Sequence, residues 1–313
     1  MLSSQLAGRQ TLQDVCCNLC GADDSHCLQS ECLEGVGVLH LVRCRCCGLV
    51  YVTPRLTEEL IQQLYEQDYF QTGNGARRGY RDYIADQEYL VETFRRRMPL
   101  IDRYAFTQGR LLDVGCAAGF FLQVSYTHGW EVYGVEPASC VADYARSHLG
   151  LDVFGGTLRE AGFPSGYFDV VTMWDVLEHM TDPRAELLEV HRVLGREGLL
   201  VLETQNITSW APRLFGKRWV HYGNDLHLFH FSPATISRVL AETGFDLLKI
   251  TAVNAGKVCS FQFIADKLRH LGRMSARLAD TLLQCWPELA WRTIYVNPGD
   301  EMIVCARKCE EVV

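Results

Sequence analysis

The run Leu111-Leu112-Asp113-Val114-Gly115-Cys116-Ala117-Ala118-Gly119-Phe120 constrains this chain more than any other segment. An apolar strand stops at an acid, turns on glycines and opens a helix. A second apolar run, Val132-Tyr133-Gly134-Val135-Glu136-Pro137, closes on another acid, Glu136, about twenty residues later. A strand-turn-helix unit of this kind lets α/β folds cradle an adenosine-containing ligand at a helix N-terminus. The expected fold class is therefore α/β, with a Rossmann-like, doubly wound sheet.

The acid in the first turn separates two ligand classes. The pyrophosphate of a dinucleotide would lie against this loop, where the Asp113 carboxylate repels it. The loop also lacks the GxGxxG pattern, which further disfavours an NAD-linked oxidoreductase. S-adenosylmethionine (SAM) instead carries a sulfonium and an ammonium, which a carboxylate attracts directly or through water. Gly115 and Gly119 are expected to let the backbone approach the ligand closely, and Glu136 to accept hydrogen bonds from the ribose hydroxyls.

On these residues the chain resembles the class I SAM-dependent methyltransferases, of the type found among quinone and small-molecule methyltransferases. The likeness continues through Gly155-Gly156-Thr157-Leu158 and from Phe163 to Pro183, which look like the third-strand exit, the fourth strand and the following helix of that family. It runs from about Arg110 to Phe245 and implies a seven-stranded sheet. It also implies cofactor-binding roles for Asp113, Gly115, Cys116, Gly119, Glu136, Pro137, Thr157, Leu158, Trp174 and Asp175. The family often has a further glycine where Ala117 or Ala118 stands; one added methyl is expected to tighten the cofactor fit slightly without loss of binding.

At 313 residues and 48% hydrophobic content the chain can bury one large core and carry a smaller module besides. A net charge of -8 disfavours a nucleic-acid surface, which needs an excess of Lys and Arg on one face. There is no basic-then-apolar leader and no apolar stretch long enough to span a bilayer, so a cytoplasmic protein is expected. The division expected is a zinc ribbon at 1–55, a helical connector or cap at 56–108 and the catalytic domain at 109–313.

Fourteen cysteines are many for a reducing compartment, so several need another use. Cys17-Asn18-Leu19-Cys20-Gly21 and Cys44-Arg45-Cys46-Cys47-Gly48 are two CxxC knuckles whose four thiolates can converge on Zn²⁺, each followed by a glycine expected to relieve crowding. Val36 to Val42 and Leu49 to Val52 read as strands between and after them. The ligand set Cys17, Cys20, Cys44 and Cys47 competes with a shifted one using Cys16 and Cys46, and with buried apolar cysteines; Cys27 and Cys32 are further candidates. Four protein ligands leave no open position, so the metal is expected to be structural. The segment is also similar to zinc-binding modules ahead of some small-molecule methyltransferases, including certain sugar C-methyltransferases.

Thr57 is a plausible helix N-cap followed by Glu58 and Glu59. From Tyr80 to Tyr104 apolar residues recur at helical spacing, and either Tyr80 or Tyr83 is a candidate for the methionine end of SAM, set against simple packing on the core. Asp169 to Met173 reads as a central parallel strand with Trp174 and Asp175 at its carboxyl end, where open α/β sheets bind ligands. Asp175, Glu178 and His179 are spaced to share one helical side, a set able to hold Mg²⁺, as a similar pattern does in quinone O-methyltransferases; plain loop-orienting hydrogen bonds are the alternative.

After the fifth strand, Gly198 to Glu203, the segment 204–231 is dense in aromatic and imidazole groups and reads as a substrate lid. His227 and His230 within it are candidate bases for a hydroxyl acceptor, His227 first, against structural imidazoles. Ser232 and Pro233 read as the N-cap and first residue of the next helix. The stretch 256–298 has helical periodicity and basic residues at Lys267, Arg269, Arg273 and Arg277. It either packs on the core, docks a second subunit in a homodimer, covers an apolar substrate or rests on a membrane surface. The leading reading is an O- or C-methyltransferase for a small or lipid-like acceptor; the other is a catalytically weak SAM-binding scaffold whose ribbon mediates protein contacts.

Overall fold

The computed structural model describes residues 11–33, 36–61, 83–223, 226–262, 264–265, 277, 280–281, 283–286, 288 and 292–309. The N-terminal part holds β1 (Leu12–Gln13), β2 (Ser25–Leu33), β3 (Gly37–Cys44), β4 (Val50–Val52) and β5 (Arg55–Leu56). Strands β3 and β4 are the two expected between and after the knuckles. Strand β2 escapes sequence patterning because its residues are mostly polar and exposed, as suits an edge strand; it pairs antiparallel with β3.

A helix opens after Thr57, whose carbonyl accepts from the amides of Leu60 and Ile61. Tyr80 lies outside the described residues. The helix expected over Tyr80 to Tyr104 is two, α1 (Gln87–Arg95) and α2 (Met98–Tyr104). Pro99 in the first turn of α2 has no amide to continue the earlier helix, so the chain restarts there.

Further strands follow: β6 (Arg110–Val114), β7 (Glu131–Glu136), β8 (Val153–Gly155), β9 (Phe168–Trp174), β10 (Leu194–Gln205), β11 (Phe229–His230), β12 (Phe245–Thr251), β13 (Lys257–Ser260), β14 (Thr293–Val296) and β15 (Glu301–Lys308). Seven of them form the central sheet in the order β12-β15-β10-β9-β6-β7-β8. Strands β6 to β10 run parallel, and β15 runs antiparallel to both its neighbours. The seven-stranded, doubly wound reading therefore holds. After β8 the chain returns to the other side of β6, so the order reverses between β6 and β9. Open α/β sheets bind ligands in a crevice at such a reversal, outside the strands' carboxyl ends.

Helices α3 (Phe120–Thr127), α4 (Ser139–Leu149), α5 (Leu158–Ala161), α6 (Pro183–Val193), α7 (Trp210–Phe215) and α8 (Pro233–Glu242) complete the unit. Alternation along the strands feeds two cores. Leu111, Val170, Val201 and Ile303 face α1, α2, α3 and α4, whereas Leu112, Val171, Leu202 and Val304 face α6 and α8. Each such fully buried aliphatic side chain contributes about 1.5–3 kcal/mol. Thr157, Asp182 and Ser232 cap α5, α6 and α8 with side-chain acceptors, each cap contributing about 1 kcal/mol, and Ser232 with Pro233 is the expected start of α8.

The ribbon is fused to the second of these cores. Leu19, Val42 and Tyr51 pack in the same cluster as Leu226 and Phe229. Its loops also bond to the segment after β9: Asn18 donates to Asp182 at 2.8 Å and Arg55 to the Thr181 carbonyl at 2.9 Å. Residues 204–231 comprise the end of β10, α7, two short 3-10 turns and β11, which pairs antiparallel with β4 of the ribbon. Of 256–298, the structure describes the antiparallel strand pair β13–β14 and scattered residues; Lys267, Arg269 and Arg273 lie outside the described residues. Among the described residues no helix is long and apolar enough to cross a membrane.

Candidate active site

At the ribbon, Cys17 Sγ lies 3.4 Å from Cys47 Sγ and Cys20 Sγ 3.5 Å from Cys44 Sγ. All four sulfurs fall within 4.8 Å of one another. A tetrahedral Zn²⁺ with bonds of about 2.3 Å sets sulfurs about 3.8 Å apart, so the cluster fits that ion. Cys16 and Cys46 are exposed, which removes the shifted set, and Cys27 and Cys32 are exposed on β2. The glycines after the knuckles serve a different purpose from the one expected. A Cβ at Gly21 or Gly48 would meet nothing within 4 Å, but their φ angles are 71° and 81°, a left-handed turn that L side chains resist.

The crevice begins at the turn after β6. Gly115 and Gly119 both have positive φ. A Cβ at Gly115 would stand 2.6 Å from Val176 Cγ2, and one at Gly119 2.6 Å from Leu151 Cδ1. These glycines are thus required by the protein's own packing. Ala117 shares the left-handed region at φ 48°, so the missing glycine produces backbone strain, a consequence other than the tighter fit expected. The Cys116 side chain is buried and turned away, its Sγ set where a Cβ on Gly134 would be.

Glu136 ends β7 with each carboxylate oxygen accepting one amide, from Ala117 at 2.9 Å and from Ala138 at 2.8 Å. Burial pushes its pKa up to about 7. Asp113 accepts from Thr172 Oγ1 at 2.6 Å, and burial together with the charge of Glu136 raises it to about 8. The Trp174 indole N–H is buried without a hydrogen-bond partner. Two raised carboxyls and an unused donor fit a polar ligand that brings positive charge. Pro137 is exposed beside Glu136, Thr157 caps α5 and Leu158 is buried against the core.

Asp175 follows β9 at φ 55°, outside any helix, and Leu177–His179 is a 3-10 turn. The helical face expected for Asp175, Glu178 and His179 therefore does not form. Asp175 instead gathers with Glu203 and Glu301, while Glu178 and His179 gather with His227. Lys257 bridges Asp175 at 2.9 Å and Glu301 at 3.3 Å. Burial opposes charge on Asp175, but Lys257 and Arg97 outweigh it and hold it below the usual carboxylate range. These carboxylates already have cations, so the Mg²⁺ set inferred from the sequence has no support here. Arg97 pairs with Glu203 in the interior, at 2% and 0% exposure, its guanidinium 4.7 Å from the Trp174 ring centroid.

Across the crevice four imidazoles crowd together. The ring centroids of His179 and His227 are 4.6 Å apart, and those of His221 and His227 5.6 Å. Burial lowers His179 and His221 to about 4 and His230 to about 3, and drives His227 well below its ordinary value with help from the neighbouring rings. All are neutral at physiological pH. The Nδ1 of His227 lies 3.1 Å from the His221 carbonyl, so it carries the proton and leaves Nε2 as an acceptor. The Gln205 amide donates to Nδ1 of His230 at 3.2 Å, so the proton of His230 sits on Nε2. Thr204 Oγ1 is 2.9 Å from Glu178 and 2.6 Å from the Gln205 side-chain oxygen. One hydroxyl proton serves one of these; Glu178, raised to about 8 by burial and by Asp175, is protonated at neutral pH and supplies the other. Tyr83 stacks on Phe120 at 5.5 Å, the packing role.

Arg97, Glu203, Lys257, His221 and Glu301 escape the sequence reading. Arg97 closes an undistinguished Arg95-Arg96-Arg97 run, but Glu203-Thr204-Gln205 at the end of the apolar run Leu199 to Leu202 is a signal: polar groups continuing a buried strand need partners.

A family model described as a methyltransferase domain matches residues 83–250, more than half of the chain. Ubiquinone biosynthesis O-methyltransferases of Azorhizobium caulinodans and Cereibacter sphaeroides are 26% identical over 155 residues and 32% over 146, covering 46% and 44% of this chain. The match takes in 61% and 58% of those relatives, so the chain spans about three fifths of their length. A solved structure from Thermotoga maritima, described as a SAM-dependent methyltransferase and possible histamine N-methyltransferase, aligns at a TM-score of 0.46 with 16% identity, over 72% of this chain and 92% of that one.

Proposed function

The chain belongs to the methyltransferase-domain family, and on that premise we propose that it moves a methyl group from SAM to a hydroxyl of a small, quinone-like acceptor. The observation that carries this reading is the pair of buried, raised carboxyls, Asp113 and Glu136, at the carboxyl ends of adjacent parallel strands. When bound, SAM supplies a methyl carbon made electrophilic by its sulfonium. Glu136 retains lone pairs for the ribose hydroxyls beyond its two amide bonds, and Asp113 favours the cationic end through charge. The turn from Gly115 to Gly119, with Cys116 contributing backbone only, and Pro137, Thr157, Leu158, Trp174 and Asp175 are the further cofactor contacts that the family likeness supports.

His227 is the base. Its Nε2 lone pair is placed to take the acceptor's proton as the methyl group leaves sulfur, while burial and the neighbouring rings keep it a weak base. His230 presents an N–H and orients the acceptor oxygen. The polar chain from Glu178 through Thr204 and Gln205 holds His230 in that tautomer. Alignment and exclusion of water by the aromatic lid supply the remainder. Zn²⁺ at Cys17, Cys20, Cys44 and Cys47 is structural. We place the protein in the cytoplasm, where the four clustered thiols stay reduced and available to a metal.

The test is transfer of radiolabelled methyl from SAM to a panel of phenols, sugars and amines. Label on a phenolic oxygen, with His227→Ala slowed at least about a hundredfold at unchanged SAM affinity, is the expected result. SAM binding without transfer to any hydroxyl contradicts the reading and favours a scaffold.

A further inference from the structure

The lid segment has two faces. Ile207, Ala211 and Trp219 turn inward and pack with Leu41 and Val50 of the ribbon, and the Trp219 indole N–H donates to Asp300 at 2.8 Å. Trp210, Leu214, Phe215 and Val220 turn outward, with exposures of 51%, 68%, 40% and 60%. Large apolar groups exposed singly are ordinary, but these four fall within one short stretch and form a patch. Trp210 and Leu214 stand one turn apart on α7 and share its outer side. The Trp210 indole N–H donates to the Pro298 carbonyl at 2.7 Å, and its ring lies 5.8 Å from that of Phe215, so the aromatic pair is held in its outward position. The inward side is already filled by Trp219, which leaves the outer groups no core to enter.

Cations accompany this patch. Arg213, Lys217 and Arg218 are exposed and pair with no acid among the described residues. No Asp or Glu occurs from Thr204 to Gly223, in a chain whose net charge is -8. We propose that this outer face of the lid docks on an anionic phospholipid bilayer. The apolar side chains enter the boundary between headgroups and acyl chains, and the three cations meet the lipid phosphates. The Trp210 ring can enter without stranding a donor, because its N–H is already bonded within the protein. A second copy of the chain is a poorer occupant, since a two-fold contact would set the same three cations against one another. Nucleic acid would use the cations but leave Leu214 and Val220 in water. The contact stands apart from the methyl-transfer reading; with it, the segment that carries His227 and His230 lies beside a medium in which apolar acceptors dissolve.

The test is co-sedimentation of the full zinc-loaded chain with two kinds of vesicle, phosphatidylcholine alone and phosphatidylcholine mixed with phosphatidylglycerol. Binding to the anionic vesicles is expected to be at least about tenfold tighter. Leu214→Glu, which removes an entering side chain, and the double variant Lys217→Gln with Arg218→Gln, which removes two charges, are each expected to weaken that binding at least about tenfold. Both are expected to unfold at the wild-type temperature, as substitutions at exposed positions do. No binding to the anionic vesicles, equal binding to the two kinds, or full binding by either variant overturns the proposal. A dimer in solution that Leu214→Glu separates would assign the face to a second copy and overturn it as well.

Discussion

Glu136 takes its two hydrogen bonds from amides 19 and 2 positions away, whereas Asp175 meets Lys257 across 82 positions and His179 reaches the Leu226 carbonyl across 47. The proposed SAM side is made mainly of strand ends and backbone groups, with the Asp113 carboxyl held by Thr172 of the neighbouring strand. The proposed acceptor side is made of side chains that the lid and β13 bring together. A backbone-built half tolerates changes elsewhere in the chain; a half assembled from distant parts fails when any of them moves.

Removing zinc tests that difference most severely. Because β4 pairs with β11, loss of the metal is expected to disorder the ribbon, release the lid strand that carries His230 and abolish turnover, with SAM affinity changed by no more than about threefold. Chelation followed by hydrogen exchange and calorimetry measures both. A parallel loss of SAM affinity would join the two halves into one unit.

Arg97 sharpens the comparison from within the acceptor side. Burial holds Glu203 well above the usual carboxylate range even with Arg97 against it, so Arg97→Met leaves a buried acid without its cation. The expected loss is about 3–5 kcal/mol in thermal unfolding, and adding Glu203→Gln is expected to recover much of it. Equal losses in the single and double variants would mean that the arginine acts by packing alone on Trp174.

The SAM side is expected to respond to pH. Asp113 and Glu136, with folded values of about 8 and about 7, hold protons that the unfolded chain releases near pH 4, so their contribution is complete below that pH and is lost as pH rises toward 8. A cationic ligand reverses the preference. SAM affinity is therefore expected to rise between pH 6 and 8 by up to about tenfold, with proton release on binding, readable by titration in buffers of different ionisation enthalpy. A flat profile would mean that neither carboxyl senses the ligand's charge. The smallest effect is local: Ala117→Gly relieves a left-handed alanine and is expected to stabilise the fold by about 1 kcal/mol in denaturant melts.

The strands β6, β7, β9 and β10 were legible because each is an apolar run ended by a turn or an acid, and the cluster of Cys17, Cys20, Cys44 and Cys47 because two CxxC pairs leave few other uses. Gly115 and Gly119 were singled out for room around a ligand; the structure adds a packing reason that no local pattern carries, since a Cβ would meet Val176 and Leu151. The Asp175-Glu178-His179 face was misread because i, i+3 and i+4 spacing carries meaning only if the chain is α-helical, and the left-handed Asp175 prevents that. Strand β2 and the Lys257 bridge left no local pattern, since an exposed edge strand and a contact across 82 positions are decided by tertiary packing.

Calorimetric titration of SAM into the wild-type chain and into Glu136→Gln tests the central claim most directly. Saturable binding near one equivalent, weakened at least about tenfold by the substitution, is the result expected. No binding, or equal affinity in the two proteins, would contradict the account.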